Sequence, residues 1–151
     1  MKLNRLSAKI RPNICSFLFV AALLSLSLKA EQVTITVRLV NGKNGHPIAD
    51  ENLNVFLNGS GFAEYHRADK DGTIRLTVDR KDTVAFASNV QVTCHPYAPN
   101  ETRPRQYKVS DILDHGVSDE NLCSKRVRVE ARHGEFVFYE RPRTFLEWWR
   151  I

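Results

Sequence analysis

From Gln32 to Val40 the chain alternates, with Val33, Ile35, Val37 and Leu39 on one side of an extended backbone and Thr34, Thr36 and Arg38 on the other. Side chains two apart share a face of a strand, so this pattern predicts a strand with one face in a core. The turn formers of Asn41-Gly42-Lys43-Asn44-Gly45-His46-Pro47 end it, and a second alternation follows at Leu53, Val55 and Leu57 before Asn58-Gly59-Ser60-Gly61. Phe62 to His66 is a third candidate strand. Asp69-Lys70-Asp71-Gly72 turns the chain into Ile74, Leu76 and Val78, and Val84 to Val92 runs on to Cys94. After a long interruption the alternation resumes at Val127, Val129 and Ala131, turns at Arg132-His133-Gly134, and closes with Phe136 to Tyr139. About seven strands at this spacing predict an all-β fold, an antiparallel β-sandwich or barrel.

The interruption spans residues 95–123. Pro96, Pro99 and Pro104 exclude regular structure from its first part. Ser110 then stands where a cap would start a short helical turn through Asp111, Ile112, Leu113 and Asp114, with Gly116 to stop it. Loops of this length inside a compact domain are uncommon unless they are functional or tethered.

Charge and cysteine usage place the chain in a compartment. Lys2, Arg5, Lys9 and Arg11 precede an apolar run from Ile14 to Leu28 that closes on Ala30. This is the order of a secretory signal peptide over residues 1–30, with an uncleaved anchor as the alternative because Leu28 is large for a position near the cut. No later stretch is long and apolar enough to span a membrane. Five of the 22 Lys/Arg and none of the 17 Asp/Glu fall in residues 1–30, so residues 31–151 carry seventeen of each sign. The net charge of +5 therefore belongs to the leader. Nucleic acid is excluded as a partner, since non-specific binding to it depends on a basic surface. The location expected is secreted or periplasmic, where Cys94 and Cys123 pair as a disulfide. A zinc set of Cys94, His95, His115 and Cys123 is the competing arrangement. It lacks a C-x-x-C pair, and adjacent Cys94 and His95 would point opposite ways on a strand.

The Gly45-His46-Pro47-Ile48 turn, the Leu53 to Leu57 strand and Ala68-Asp69-Lys70-Asp71-Gly72-Thr73-Ile74-Arg75-Leu76 together resemble the carboxypeptidase regulatory-like domains. The match covers residues 32–93, and the remainder to Thr144 looks like the second half of small exported bacterial proteins carrying this domain alone. The resemblance implies a prealbumin-like, Ig-like sandwich over residues 31–144 and an extracytoplasmic place. It implies no reaction. Isopeptide-forming relatives need a lysine on the first strand, where this chain has Arg38. The hydroxyisourate hydrolases end in Tyr-Arg-Gly-Ser, where this chain ends Trp148-Trp149-Arg150-Ile151. Starch-binding modules of similar topology bind through exposed aromatics, and Tyr97, Tyr107, Trp148 and Trp149 are the aromatics such binding would use here.

Catalytic chemistry is sparse. No nucleophile elbow, zinc-protease helix or phosphate-binding loop is present, so no enzyme activity, metal or cofactor is expected. Asp69-Lys70-Asp71-Gly72 fails as a calcium loop because Arg67 and Val78 would stand at its first and twelfth positions. His115 beside Asp114 is an acid-base pair or simply a cation at a helix end. Asn58-Gly59-Ser60 and Asn100-Glu101-Thr102 fit the glycosylation pattern and read as turns. The distinctive stretch is the C-terminal one. Arg141, Arg143, Phe145, Trp148 and Trp149 gather the side chains that dominate binding hot spots, with residues 145–151 as an aromatic and basic tail. That tail either docks a partner, lies on a membrane surface or folds back over the sandwich. The function expected is a non-catalytic binding or scaffold domain for a protein or envelope polymer, with carbohydrate binding as the alternative.

Overall fold

The computed structural model describes residues 31–95 and 103–149. The leader, Pro96, Tyr97, Pro99 and the Asn100 sequon lie outside the described residues, as do the side chain of Trp148 and the last two positions. Strands β1 (Gln32–Asn41), β2 (Asn52–Leu57), β3 (Glu64–Arg67), β4 (Thr73–Asp79) and β5 (Thr83–Ser88) follow one another through short turns. Then come β6 (Val92–Thr93), β7 (Gln106–Lys108), helix α1 (Val109–His115), β8 (Val117–Ser118), β9 (Glu135–Arg141) and the one-turn helix α2 (Phe145–Trp148). One sheet has the order β4-β1-β9-β6 with β8 also on β9, and the other the order β3-β2-β5-β7. The all-β sandwich expected from the alternation is what forms.

Its core is the inward set of the predicted strands. Ile35, Val37 and Leu39 of β1 meet Leu53 and Val55 of β2, Ile74, Leu76 and Val78 of β4, and Phe86 of β5. Phe136 and Phe138 of β9 complete it, with the Phe86 and Phe136 ring centroids 4.6 Å apart. The two turns that carried the family resemblance touch. Ile48 N–H donates to Leu39 O at 3.0 Å, and Leu39 N–H donates to Gly72 O at 2.8 Å. Asp69 Oδ1 accepts from the backbone of Asp71 and Thr73, so this carboxylate shapes a turn.

Two features differ from the sequence pattern. Most strand pairs are antiparallel, but β9 lies parallel to β1 from Thr36↔Glu135 to Asn41↔Glu140. Residues 127–131 form no strand, although their alternation is kept, with Val127, Val129 and Ala131 packed on Val40, Cys94, Val137 and Tyr139. The Tyr139 hydroxyl takes the place of a ladder. It accepts from Val129 N–H at 2.6 Å and donates to Val129 O at 3.2 Å. A smaller correction concerns α1, which starts at Val109 with Lys108 as its cap, not Ser110. Strand β7 runs straight into the helix, and Val109 N–H is fixed on Asp82 O at 3.0 Å.

Cys94 and Cys123 form a disulfide across 29 positions, with Cα atoms 5.1 Å apart. It closes the long excursion where Cys94 N–H donates to Tyr139 O. Both sulfurs are thus bonded to each other, which removes the zinc set. Loop closure of this length contributes roughly 3–4 kcal/mol, so the Cys94→Ser/Cys123→Ser protein should unfold at lower denaturant by that amount. Gly116 offers a second check. Its φ is +70°, and an added Cβ would strike the Arg132 carbonyl, whereas Gly134 at φ +76° has open space around that position. Gly116→Ala is expected to cost more than about 2 kcal/mol and Gly134→Ala about 1, read from chemical denaturation.

Candidate functional site

The C-terminal stretch begins where β9 ends. Arg141 is its last residue, and the side chain turns to Glu147 with two hydrogen bonds of 2.8 and 2.6 Å. Thr144 caps α2, and Glu147 Oε2 accepts from Thr144 N–H at 2.8 Å and from its hydroxyl at 2.9 Å. Sequence spacing explains the local fold. Thr144-Phe145-Leu146-Glu147 is a capping box, and Pro142 stops the strand from continuing. Arg141, followed by Thr144, holds the Glu147 carboxyl well below the usual carboxylate range, and Glu147 in turn keeps Arg141 more firmly protonated. The turn is therefore held by charge-assisted bonds around one carboxylate.

What this hook displays is apolar. Phe145 and Leu146 are each 74% exposed and Trp149 is 76% exposed. The Phe145 and Trp149 rings sit 5.9 Å apart at 55°. The tail does not fold back over the core with these three residues. Arg143, at the root of the hook, is partly buried. Leu146 was not among the residues singled out from sequence, although the capping box could have placed it beside Phe145 on the outer turn.

A second constellation begins at His95, next to Cys94 in the chain. Asp119 is buried and accepts from the Tyr107 hydroxyl at 2.7 Å and from Glu120 N–H at 2.8 Å. His95 Nδ1 lies 3.2 Å from the same carboxylate oxygen without hydrogen-bond alignment. Burial first, then Asp119, pushes the Tyr107 phenol far above its usual range. A phenol so held is a donor and not a base, and its ring packs on Phe136 at 4.6 Å. Tyr107 is thus half-buried, with its hydroxyl on Asp119 and its ring between Phe136 and the Arg105 guanidinium, and is not displayed as an open sugar-stacking ring. The group ties together positions 95, 107 and 119 of the excursion. Beside it a groove of about 630 Å³ runs between Asp119, Leu122, Arg128 and Tyr139.

The other sequence candidates separate. Asp114 is held by Arg80 at 2.7 Å and His115 is exposed, so they form no acid-base pair. Among the described residues no group of three or more His, Cys, Asp and Glu side chains is placed to hold a metal. No helix among them is long and apolar enough to cross a membrane. Sequence reading missed Glu140, which is fully buried with neither carboxylate oxygen in a hydrogen bond. Its position was visible as the third inward residue in Phe136, Phe138, Glu140. Comparison with known proteins adds nothing to this geometry, because no family model, no curated protein and no solved structure matches the chain.

Burial pushes the Glu140 carboxyl up from 4.5 to about 7, with the facing Ser88 hydroxyl opposing and the Glu51 charge adding. Between these values the folded state binds the proton that the unfolded chain has lost. In buffer free of divalent cations, its contribution to stability is therefore full below about pH 4.5 and lost as pH rises to about 7. Glu140→Gln should abolish that slope. At pH 8 the variant is expected to exceed the natural protein by at most roughly 3 kcal/mol in guanidinium unfolding, with little difference at pH 4.

Proposed function

We propose that the protein is a non-catalytic binding domain acting outside the cytoplasm, a carboxypeptidase regulatory-like sandwich that meets its partner through the C-terminal hook. The observation that carries this reading is the exposure of Phe145, Leu146 and Trp149 on a turn already fixed by the Arg141–Glu147 pair. Large apolar side chains exposed together are the common mark of a contact surface. Holding them in one shape before contact reduces the ordering cost of association. The leader-like residues 1–30 and the Cys94–Cys123 bond support an oxidising location. The partner expected is a protein or envelope polymer offering an apolar recess.

Carbohydrate binding is the second reading, favoured by a different surface. Phe62 is 88% and Tyr65 72% exposed around the β2–β3 turn. Close by, a shallow cleft of about 210 Å³ is lined by Phe56, Ala85, Pro104 and Gln106. Rings beside such a cleft suit the apolar face of a sugar, with Gln106 as a polar contact.

The two readings separate in one experiment. Capture from solubilised envelope and co-sedimentation with purified wall polymer are compared for the natural protein, Phe145→Ala/Trp149→Ala and Phe62→Ala/Tyr65→Ala. The hook variant should retain less than about a tenth of the bound material while its unfolding free energy changes by no more than ~0.5 kcal/mol, as expected for exposed side chains. Loss only in the Phe62/Tyr65 variant would transfer the site to the sheet surface, and equal retention by all three would reject both.

A further inference from the structure

The Glu140 carboxylate lies inside the sandwich with both oxygens unpartnered, an arrangement that native proteins resolve with a donor, a proton, a water or an ion. The groups packed around it are oxygen-rich. Ser88, at the end of β5, contributes a buried hydroxyl that faces Glu140 and has no other partner. Glu51, just before β2, accepts on Oε2 from Gln91 Nε2 at 2.9 Å, and Gln91 leads into β6, whose Thr93 stands in register with Glu140. In register with Glu140 stand Asn41 of β1 and Thr93 of β6. Arg141, the next residue, is engaged with Glu147.

We propose that Glu140, Glu51 and Ser88 form a binding site for a hard divalent cation, calcium in the first instance, joining β9 in one sheet to β5 and the β2 approach in the other. The donor set excludes a soft metal, because it holds neither sulfur nor imidazole. Calcium accepts six to eight oxygens in irregular geometry, and two carboxylates with one hydroxyl leave the remainder of the shell to water. Glu140 immediately precedes Arg141, so an occupied site would also stiffen the root of the hook.

The test is thermal unfolding of the purified protein near pH 8, first with chelator and then with millimolar calcium or magnesium, alongside calorimetric calcium titration. Calcium should raise Tm by about 5 °C or more, with magnesium less effective. Glu140→Gln should keep its fold and lose the response, and Glu51→Gln should weaken calcium binding at least tenfold. Should Glu140→Gln fail to fold, the titration of the natural protein and of Glu51→Gln decides. No calcium-dependent shift or heat in the natural protein overturns the proposal and leaves a protonated acid in the core. A shift of equal size in Glu140→Gln or Glu51→Gln overturns it too, by placing the ion elsewhere.

Discussion

The structure depends on burying β9 on both of its faces. Phe136 and Phe138 enter the space between the sheets, while Val137 and Tyr139 turn outward and are covered by the segment that ends in β9. A strand so placed lies between β1 and β6 and has no solvent face. It also explains why residues 119–134 remain ordered with so little regular structure. They are the cover, fixed by the disulfide, by Asn121 Nδ2 donating to Gly42 O and Val127 O, and by the Tyr139 hydroxyl on Val129.

Most of the framework was legible because alternation reports which face of a strand meets the core, and β1, β2 and β4 turn the residues their pattern names inward, with only Val33 and Leu57 at the strand ends left partly exposed. Turn chemistry was legible for a similar reason. Gly72 and Gly116 sit at positive φ where only glycine is comfortable. The direction of β9 was not legible. Periodicity is the same for a strand read upward or downward, and whether it pairs parallel depends on the path of the excursion before it. The Val127 to Ala131 alternation names the side that packs inward, yet it makes no strand, because the Tyr139 side chain supplies the bonds a neighbouring strand would make.

The candidate sites divide along the same line. A capping box and a neighbouring arginine are local signals, so the place of the hook could be read from residues 141–149, while the outward aim of Phe145 and Trp149 could not. Asp119, Tyr107 and His95 meet only through the folding of the excursion, and nothing in their spacing announces it. Glu140 lies between these cases. Its inward position follows from counting along β9, but its isolation depends on what β5 and the β2 approach bring opposite it.

The parallel pairing of the outermost strands in chain order has a geometric consequence. Gln32 opens β1 at one pole of the sheet, and β9 leaves beside Asn41 at the other. Ten residues of extended backbone separate the two poles by about 30 Å. A domain tethered through its first strand would therefore hold its aromatic tip at the far end, clear of whatever surface anchors it.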